Sequence, residues 1–154
     1  MNIKIRKINL EEYELVVEMF NKYRIFYKQP SNIELAKTYI YERLQNKEAH
    51  IFIAFNIDNQ SPIGFTLLYP KFSSVSTIKN WHIGDLFVEM ESRKKGVGEK
   101  LLQASIEFSG KENAHFVTLN TAVDNYTAQS LYENFGFTKQ EPLTGYFAYQ
   151  YTLS

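Results

Sequence analysis

The spacing of apolar residues in the first third of the chain predicts one strand and two helices. Apolar residues alternate with charged ones over residues 3–8, which is typical of a short strand with one buried face. Residues 13–20 then place apolar side chains at i, i+3, i+4 and i+7, the pattern of one apolar helix face. A second helical pattern covers residues 31–46, and we expect that helix to begin at a capping box formed by Ser31 and Glu34.

The middle of the chain switches to the period of two that favours strands. Isoleucine or phenylalanine recurs at every second position over residues 51–56, turn residues occupy 58–62, and an apolar run covers 63–69. This arrangement predicts a β-hairpin, which we expect Pro70 to end. Residues 81–88 are apolar almost throughout, as is typical of a strand inside a sheet.

Helical spacing returns twice in the last part of the chain. One helix is predicted to start at Gly96, with Gly110 as its C-terminal cap, and another to start at Asn125 and stop at Gly136. Residues 115–121 lie between them and predict a strand. A strand, a helix and a strand within about 35 residues form a parallel crossover unit, and such units are right-handed.

We expect two further strands near the C-terminal end, one from Phe137 onward and one over Tyr146 to Leu153. The predicted element order is therefore β, α, α, β, β, β, α, β, α, β, β. It describes an α/β fold with a single mixed, mostly antiparallel sheet of about seven strands flanked by about four helices. The length of 154 residues suits a single domain that spans residues 1–154.

Composition and charge exclude several classes of protein. Seventeen basic residues balance seventeen acidic ones, so no overall field draws the chain to nucleic acid or to an anionic membrane. The absence of cysteine excludes thiolate zinc sites, iron–sulfur clusters and cysteine nucleophiles, and the three scattered histidines predict no metal site. Charged residues interrupt the apolar ones at the N-terminus, so we expect no signal peptide and a soluble, cytoplasmic protein.

A cationic turn with two glycines follows the predicted strand at residues 81–88. Three basic residues, 93–95, precede Gly96 and Gly98 where the next helix is predicted to begin. The first N–H groups of a helix are unpaired and carry partial positive charge, so this turn suits a phosphate group, and above all a diphosphate. The dinucleotide fingerprint fits less well because its third glycine is missing, and no Walker lysine is followed by serine or threonine.

A second block, residues 125–137, reads Asn-Tyr-Thr-Ala-Gln-Ser-Leu-Tyr-Glu-Asn-Phe-Gly-Phe. Together with the turn at residues 93–98, this block resembles the GNAT superfamily of acetyl-CoA-dependent N-acetyltransferases. The cofactor motif of that family is Gln/Arg-x-x-Gly-x-Gly/Ala, and its later helix reads Asn-x-x-Ala-x-x-Leu-Tyr-x-x-x-Gly-Phe. The string at residues 85–88 is also similar to the branch of diamine, amino-acid and histone-type acetyltransferases. The motif match covers residues 81–137, and the element order fits the family over the whole chain.

The resemblance implies that the chain binds acetyl-CoA. The diphosphate would lie at the cationic turn, and the pantetheine arm would run along the strand before it as if it were a neighbouring strand. A main-chain N–H group there would also stabilise the developing oxyanion. Asn125 would hydrogen-bond the pantetheine or the phosphate end of the cofactor. The implied coenzyme A-binding residues are Leu86, Phe87, Val88, Arg93, Lys94, Lys95, Gly96, Val97, Gly98, Glu99, Asn125 and Ala128.

Two residues are candidates for the proton transfers. Tyr132 matches the general acid of the family, which protonates the departing thiolate of coenzyme A, although packing on the apolar face of its helix also explains this residue. The diamine branch carries a glutamate where this chain has Gly84. Asp85 is the next acidic residue and the candidate base acting through a water molecule, with Glu89 as a weaker alternative.

The resemblance also places a wall of the acceptor site at the end of the first helix. Tyr23, Arg24 and Tyr27 are its candidates, and Trp81 joins them from the third predicted strand. Simple packing of aromatic side chains explains each of these positions equally well.

These features predict an enzyme that transfers the acetyl group of acetyl-CoA directly to a primary amine, a small molecule, within a ternary complex. We expect no covalent enzyme intermediate because the chain has no cysteine. A non-catalytic acyl-CoA-binding or regulatory module stays open as an alternative, as does a nucleotide-binding protein. Polyamines, amino acids, aminoglycosides and protein amines all stay open as acceptors, and the resemblance is compatible with a homodimer.

Overall fold

The computed structural model describes residues 1–140 and 145–153, and the chain divides into two compact units, Met1–Thr121 and Ala122–Ser154. The strands are β1 (Ile3–Lys7), β2 (His50–Asn56), β3 (Ser61–Ser73), β4 (Ile78–Val88) and β5 (Val117–Leu119). The helices are α1 (Glu14–Phe26), α2 (Ile33–Gln45), α3 (Val97–Lys111) and α4 (Tyr126–Phe135), with short 3₁₀ turns at Leu10–Glu12 and Met90–Ser92. None of the described helices is both long enough and apolar enough to cross a membrane.

The first unit contains one sheet, in which the strands follow the order β1-β2-β3-β4-β5. The first four strands pair antiparallel, and β5 pairs parallel to β4 after the crossover through α3. The prediction of an α/β fold with one mixed, mostly antiparallel sheet is therefore confirmed. The predicted order of the helices and of the first five strands is confirmed with it.

Helices cover both faces of this sheet. On one face, alternate residues of β2 and β3 such as Ile53 and Phe65 form a buried cluster with Phe20 of α1 and Ile40 of α2. On the other face, α3 packs against β2, β3 and β4. We call these the α1/α2 face and the α3 face. The period of two in the strands therefore separates two hydrophobic layers, which is why β2 is buried along almost its whole length.

The second helix begins one residue later than the capping box predicted. Asn32 is the N-cap of α2, and its side chain accepts a hydrogen bond from the N–H of Leu35 at 3.0 Å. The hydroxyl of Ser31 instead accepts from the side-chain amide of Asn21, 2.9 Å away. Asn21 also accepts from the N–H of Asn32, so a side chain of α1 fixes the loop and takes Ser31 away from the cap.

Pro70 does not end β3, as the sequence suggested. The strand continues to Ser73, and Pro70 lies opposite Trp81 of β4. The pairing of β3 with β2 stops at Leu68, so this part of β3 has a paired neighbour on one side only. Proline is tolerated in such edge segments because its missing N–H group does not break a ladder on both sides.

The C-terminal predictions need two corrections. The helix that begins at Val97 continues past Gly110 to Lys111, and Asn113, with φ 62°, takes the left-handed conformation after it. Residues 137–140 and 145–153 form no strand, and 141–144 lie outside the described residues. The sheet of the described chain has five strands rather than about seven. Alternating side chains show which residues share a face, but they do not supply the pairing partner that a strand requires.

Candidate active site

The carboxyl-terminal half of β4 has an open edge. β5 pairs with β4 only over Trp81–Ile83, whereas β3 stays paired with β4 as far as Val88. Among the described residues, no strand therefore pairs with residues 84–88 on the side away from β3. Unpaired main-chain groups of a strand accept an extended ligand as a neighbouring strand, so this edge fits the expected place of the pantetheine arm at residues 86–88.

A β-bulge marks the start of that open edge. Leu67 pairs with Asp85 and Leu68 with Ile83, so Gly84 is the extra residue in β4. A Cβ atom at Gly84 would lie 2.6 and 2.8 Å from ring carbons of Tyr69. The glutamate that the diamine branch carries at this position therefore has no room here, because the ring of Tyr69 fills the space.

Asp85 lies directly after the bulge, on the α1/α2 face. The hydroxyl of Tyr23 on α1 donates to the carbonyl of Gly84 at 3.2 Å and stands beside the Asp85 carboxyl group. Burial raises the pKa of Asp85 to about 6, and the neighbouring Tyr23 hydroxyl, which can turn its single proton from Gly84 to the carboxylate, lowers this pKa in part. Asp85 is therefore mostly ionised at pH 7 yet titrates close to neutrality, which suits a base in proton transfer.

Tyrosine side chains surround this carboxyl group. Burial, and then the negative charge of Asp85, raise the pKa of Tyr23 far above its ordinary value, so this hydroxyl stays protonated and donates. The hydroxyl groups of Tyr39 on α2 and Tyr69 on β3 are hydrogen-bonded to each other. The guanidinium group of Arg43 lies over the ring of Tyr39, 4.7 Å from its centroid. A chain of contacts thus runs from Arg43 to the bulge of β4.

The structure brings together two of the four predicted acceptor residues. The ring of Tyr27 lies 4.9 Å from that of Tyr23 and is 52% exposed, so it can form a wall. Arg24 is directed elsewhere, since its guanidinium group donates to the carbonyl of Pro30 at 3.3 Å. Trp81 is only 1% exposed and packs on the α3 face against Phe108, so we leave it out of the proposed acceptor site.

The turn between β4 and α3 presents a run of main-chain N–H groups. Lys94 and Gly96 adopt left-handed backbone conformations, with φ 61° and 84°, whereas Arg93 is extended. Within residues 1–140 and 145–153, no group accepts a hydrogen bond from the N–H groups of residues 94–99. Such a series of amides forms an anion-binding concavity, and the N-terminus of α3 adds partial positive charge. The residues of this turn therefore fit a diphosphate.

The cationic side chains stay close to that turn. Nε of Arg93 donates to the carbonyl of Val88 at 3.0 Å, and Nζ of Lys95 donates to the carbonyl of Glu91 at 3.0 Å. These bonds hold two positive charges beside the open amides. The weaker base candidate, Glu89, forms an ion pair with Lys22 of α1 at 2.9 Å, which gives it a structural partner and leaves Asp85 as the better candidate.

The second unit carries the remaining predicted residues on α4. The side-chain oxygen of Asn125 accepts from the N–H of Ala128 at 3.1 Å, so Asn125 is the N-cap of this helix. The N–H of Ala128 is therefore used by the cap, and Ala128 has only its small side chain to offer a ligand. The ring of Tyr132 packs edge-on against Phe137, with centroids 6.0 Å apart.

The family model that matches this chain is described as the acetyltransferase (GNAT) family, and it covers residues 13–137. The chain belongs to the GNAT family. An N-acetyltransferase of Bacillus subtilis strain 168, YhfO, named as uncharacterized, is 39% identical over 147 residues, 96% of this chain and 95% of that protein. The crystal structure of a probable acetyltransferase matches with a TM-score of 0.88 and 32% identity, over 97% of this chain and 99% of that one.

Another relative is an N-alpha-acetyltransferase of Saccharolobus solfataricus, which is 33% identical over 116 residues, 70% of this chain and 67% of that protein. The resemblance to GNAT acetyltransferases that the motifs indicated is therefore confirmed. Membership of the GNAT family supports N-acetyltransferase activity, that is, acyl transfer to an amine.

Sequence reasoning missed two residues in the chain of contacts that leads to the bulge of β4, Tyr39 and Arg43. Both lie on α2, four positions apart, so the helical period places them on one face of the helix. That spacing was a usable signal for their contact. The bond between Tyr39 and Tyr69, by contrast, joins residues 30 positions apart, and no local pattern indicates it.

Proposed function

We propose that the chain transfers the acetyl group of acetyl-CoA directly to a primary amine within a ternary complex, as one N-acetyltransferase domain over residues 1–154. The run of open N–H groups at residues 94–99, beside the open edge of β4, is the observation that carries this proposal. Acetyl-CoA supplies the acetyl group as an activated thioester. The absence of cysteine agrees with a route that has no thioester on the enzyme.

The turn and the strand before it would hold the acyl donor. The amides of residues 94–99, with the charges of Arg93, Lys94 and Lys95, would bind the diphosphate. The main chain of residues 86–88 would hold the pantetheine arm, and a free N–H group there would stabilise the oxyanion. Asn125 would add a hydrogen bond to the cofactor beside its role as N-cap.

Two side chains would move the protons. Asp85 would take a proton from the attacking amine, directly or through water, because it is ionised at pH 7 and lies beside the bulge. Tyr132 would protonate the thiolate of coenzyme A, since the ordinary pKa of a phenol, about 10, lies above that of a thiol, about 8.5. Tyr23 and Tyr27 would bound the space for the amine.

A thiol-release assay tests the proposal. Wild-type protein with acetyl-CoA and a panel of amines should release coenzyme A, and the N-alpha-acetyltransferase among the relatives is a reason to include peptide N-terminal amines. Asp85→Asn should lower kcat/KM by about 100-fold or more, and Tyr132→Phe should lower kcat at least about tenfold, with little change in coenzyme A affinity. Asp58→Asn, at an exposed turn residue, is the control.

The pH profile sharpens this test. The wild-type kcat/KM should rise as pH increases through about 6, because Asp85 loses its proton there, and Asp85→Asn should lack this rise. Binding of acetyl-CoA without turnover over the whole panel would instead favour a non-catalytic acyl-CoA-binding module. The proposal also includes a small-molecule amine as the acceptor, which the amine panel tests. It includes a cytoplasmic location as well, which fractionation of expressing cells tests.

A further inference from the structure

A cleft of about 520 Å³ lies at the C-terminal end of α2, next to the part of β3 that extends beyond β2. Tyr39 and Arg43 of α2 line it together with Tyr69 of β3 and Lys79 of β4. The proposed mechanism of acetyl transfer uses none of these four side chains. The cleft belongs wholly to the first unit, Met1–Thr121.

The charge around this cleft is unbalanced. Three of its lining residues, Arg43, Lys47 and Lys79, are cationic, and Glu48 is its one carboxylate. Arg43 pairs with Glu48 at 3.6 Å and with Glu42 on the same helix at 3.5 Å, so the excess positive charge comes from Lys47 and Lys79. Within the described part of the chain, Lys47 and Lys79 form no ion pair, and Lys79 lies over the rings of Phe72 and Trp81. The cleft therefore has an excess of positive charge that favours an anion.

An unsatisfied donor lies at the same place. Nε of Arg43 is buried and makes no hydrogen bond to any described residue. Buried N–H groups of this kind are rare because each one costs free energy unless an acceptor meets it. Arginine presents its N–H groups in a planar fork that matches the oxygens of a carboxylate or a phosphate. The guanidinium group of Arg43 therefore suits an oxyanion, and such a ligand would meet the buried Nε if the side chain turned towards the cleft.

The Tyr39–Tyr69 pair separates this cleft from Asp85. Both tyrosines line the cleft, and the ring of Tyr69 also fills the space beside Gly84. The charge of Asp85 contributes to the raised pKa of Tyr69, after burial and the bond to Tyr39, so the carboxylate is near. A negative charge thus lies on one side of the tyrosine pair, and an excess of positive charge lies on the other.

We propose that the cleft beside Arg43 binds a carboxylate or phosphate group of the acceptor, so that the acceptor is a small molecule with an amine at one end and an oxyanion at the other. This inference rests on the proposed acetyl transfer and narrows its substrate class. Polyamines fit poorly, because their second ammonium group would meet the cationic lining of the cleft.

Matched pairs of acceptors test the inference. ω-Amino acids of increasing chain length are compared with alkylamines of the same length, and aminoalkyl phosphates with the corresponding amino alcohols, in the thiol-release assay. Wild-type protein should prefer the acid-bearing member at least about tenfold in kcat/KM, with a best chain length set by the tyrosine pair. The two series also show whether carboxylate or phosphate is bound. Equal use of both members of every pair would overturn the inference.

Variants show which residues cause the preference for acid-bearing acceptors. Arg43→Gln and, as a substitution at an exposed residue, Lys79→Gln should each reduce the preference for acid-bearing acceptors several-fold or more. Lys37→Gln, on the same helix but paired with Glu14, is the matched control and should keep the wild-type preference. An unchanged preference in both cleft variants, or an equal loss in the control, would contradict the assignment.

A binding measurement separates this inference from the proposed function. The shift in Tm caused by an ω-amino acid, compared with its alkylamine, reports binding whether or not the acetyl group is transferred. A shift in wild-type protein that Lys79→Gln and Arg43→Gln reduce would support the cleft even if no amine were acetylated. If transfer occurs but no acid-bearing probe shifts Tm more than its partner, the cleft is wrong and the proposed function stands.

Discussion

Both faces of the sheet are buried, but the polar groups on them differ in their hydrogen bonding and in their pKa values. On the α3 face, the buried hydroxyls of Thr66 and Ser105 are hydrogen-bonded to each other, and that of Ser105 also donates to the carbonyl of Leu101 in α3. On the α1/α2 face, the end of β4 brings Asp85 together with Tyr23 and Tyr69, and these half-buried groups have shifted pKa values. The polar groups of the α3 face are hydrogen-bonded within the protein, whereas the α1/α2 face contains groups that can take up or release a proton.

This difference follows from how the helices approach the sheet. α3 packs against β2, β3 and β4 together, so its small residues meet the strands closely. α1 reaches β3 and β4 near the bulge at Gly84, where the main chain of β4 is no longer paired with β5. A bulge and an open edge leave main-chain groups and a carboxylate near the surface, and catalytic groups in proteins are commonly placed at such features. The comparison therefore favours a stabilising role for the α3 face and supports the proposed role of the α1/α2 face in proton transfer.

Two glycines, one on each face, give the largest expected effect on stability. A Cβ at Gly64 would lie 2.8 Å from the carbonyl oxygen of Phe87, a main-chain atom, whereas a Cβ at Gly84 would meet the ring of Tyr69. We expect Gly64→Ala and Gly84→Ala each to lower the free energy of unfolding by about 2–3 kcal/mol, measured by urea denaturation. Only the second obstruction is a side chain that a mutation can remove.

Double-mutant cycles distinguish the two positions. Tyr69→Ala should relieve much of the cost of Gly84→Ala, with a coupling free energy of about 1–2 kcal/mol. Leu101→Ala removes a side chain 3.2 Å from the Cβ position at Gly64 but leaves the carbonyl of Phe87 in place. It should therefore couple weakly to Gly64→Ala. Equal coupling in the two cycles would show that the faces do not differ in this respect.

The alternation and helical periods predicted most of the fold because they report which residues are buried. They gave the five observed strands and four helices in order, since residues such as Ile53 and Phe65 must face a core wherever the chain places it. They did not predict that Pro70 lies inside β3, because that depends on where β2 stops pairing. They also predicted strands over residues that form none in the described chain, since a pattern does not provide a pairing partner.

The site was predictable only in part, for a similar reason. The turn at residues 93–98, which is proposed to bind the diphosphate, is local, so basic residues and glycines next to a helix start were enough to indicate it. The surroundings of Asp85 are not local, because Tyr23 and Tyr69 reach it from α1 and β3. Likewise, the apolar run that contains Trp81 did not show that its side chain lies on the α3 face.

On the α1/α2 face, stability should depend on pH through Asp85. Burial raises the pKa of Asp85 from 3.8 to about 6, so the folded state binds its proton more tightly than the unfolded state does. The folded protein consequently loses stability as pH rises from about 4 to about 6. Asp85→Asn removes the buried charge, so at pH 8 it should be more stable than wild type by about 1–3 kcal/mol, or about 2–8 °C in Tm.

Thermal melts at pH 8 and pH 4 check this expectation. The advantage of Asp85→Asn should nearly vanish at pH 4, where Asp85 is protonated in the folded state. Asp58→Asn, in the exposed turn between β2 and β3, is the control, and its difference from wild type should not follow this course. An Asp85→Asn protein that is less stable than wild type at pH 8 would mean that the carboxylate is stabilised by its neighbours, contrary to its assignment as a destabilised base.

The smallest effect is expected on the α3 face, where the direction of one hydrogen bond can be deduced. The hydroxyl of Ser105 donates to the carbonyl of Leu101 at 2.8 Å, so in its bond with Thr66, 2.9 Å long, Ser105 must accept and Thr66 must donate. Ser105→Ala leaves the fully buried hydroxyl of Thr66 without an acceptor for its proton. Thr66→Val leaves the Ser105 oxygen without this donor, but Ser105 keeps its own bond to Leu101. We therefore expect Ser105→Ala to cost about 1–2 kcal/mol of unfolding free energy and Thr66→Val about 0.5–1 kcal/mol.

The double variant Thr66→Val/Ser105→Ala sharpens that expectation. It removes both partners, so its cost in urea denaturation should be smaller than the sum of the two single costs. Acetyl transfer should be unchanged in all three proteins, because these hydroxyls are fully buried on the face opposite Asp85. A larger loss of unfolding free energy in Thr66→Val than in Ser105→Ala would contradict the deduced direction of the hydrogen bond. A loss of turnover without a loss of stability would contradict the inference that the α3 face serves stability and the α1/α2 face serves proton transfer.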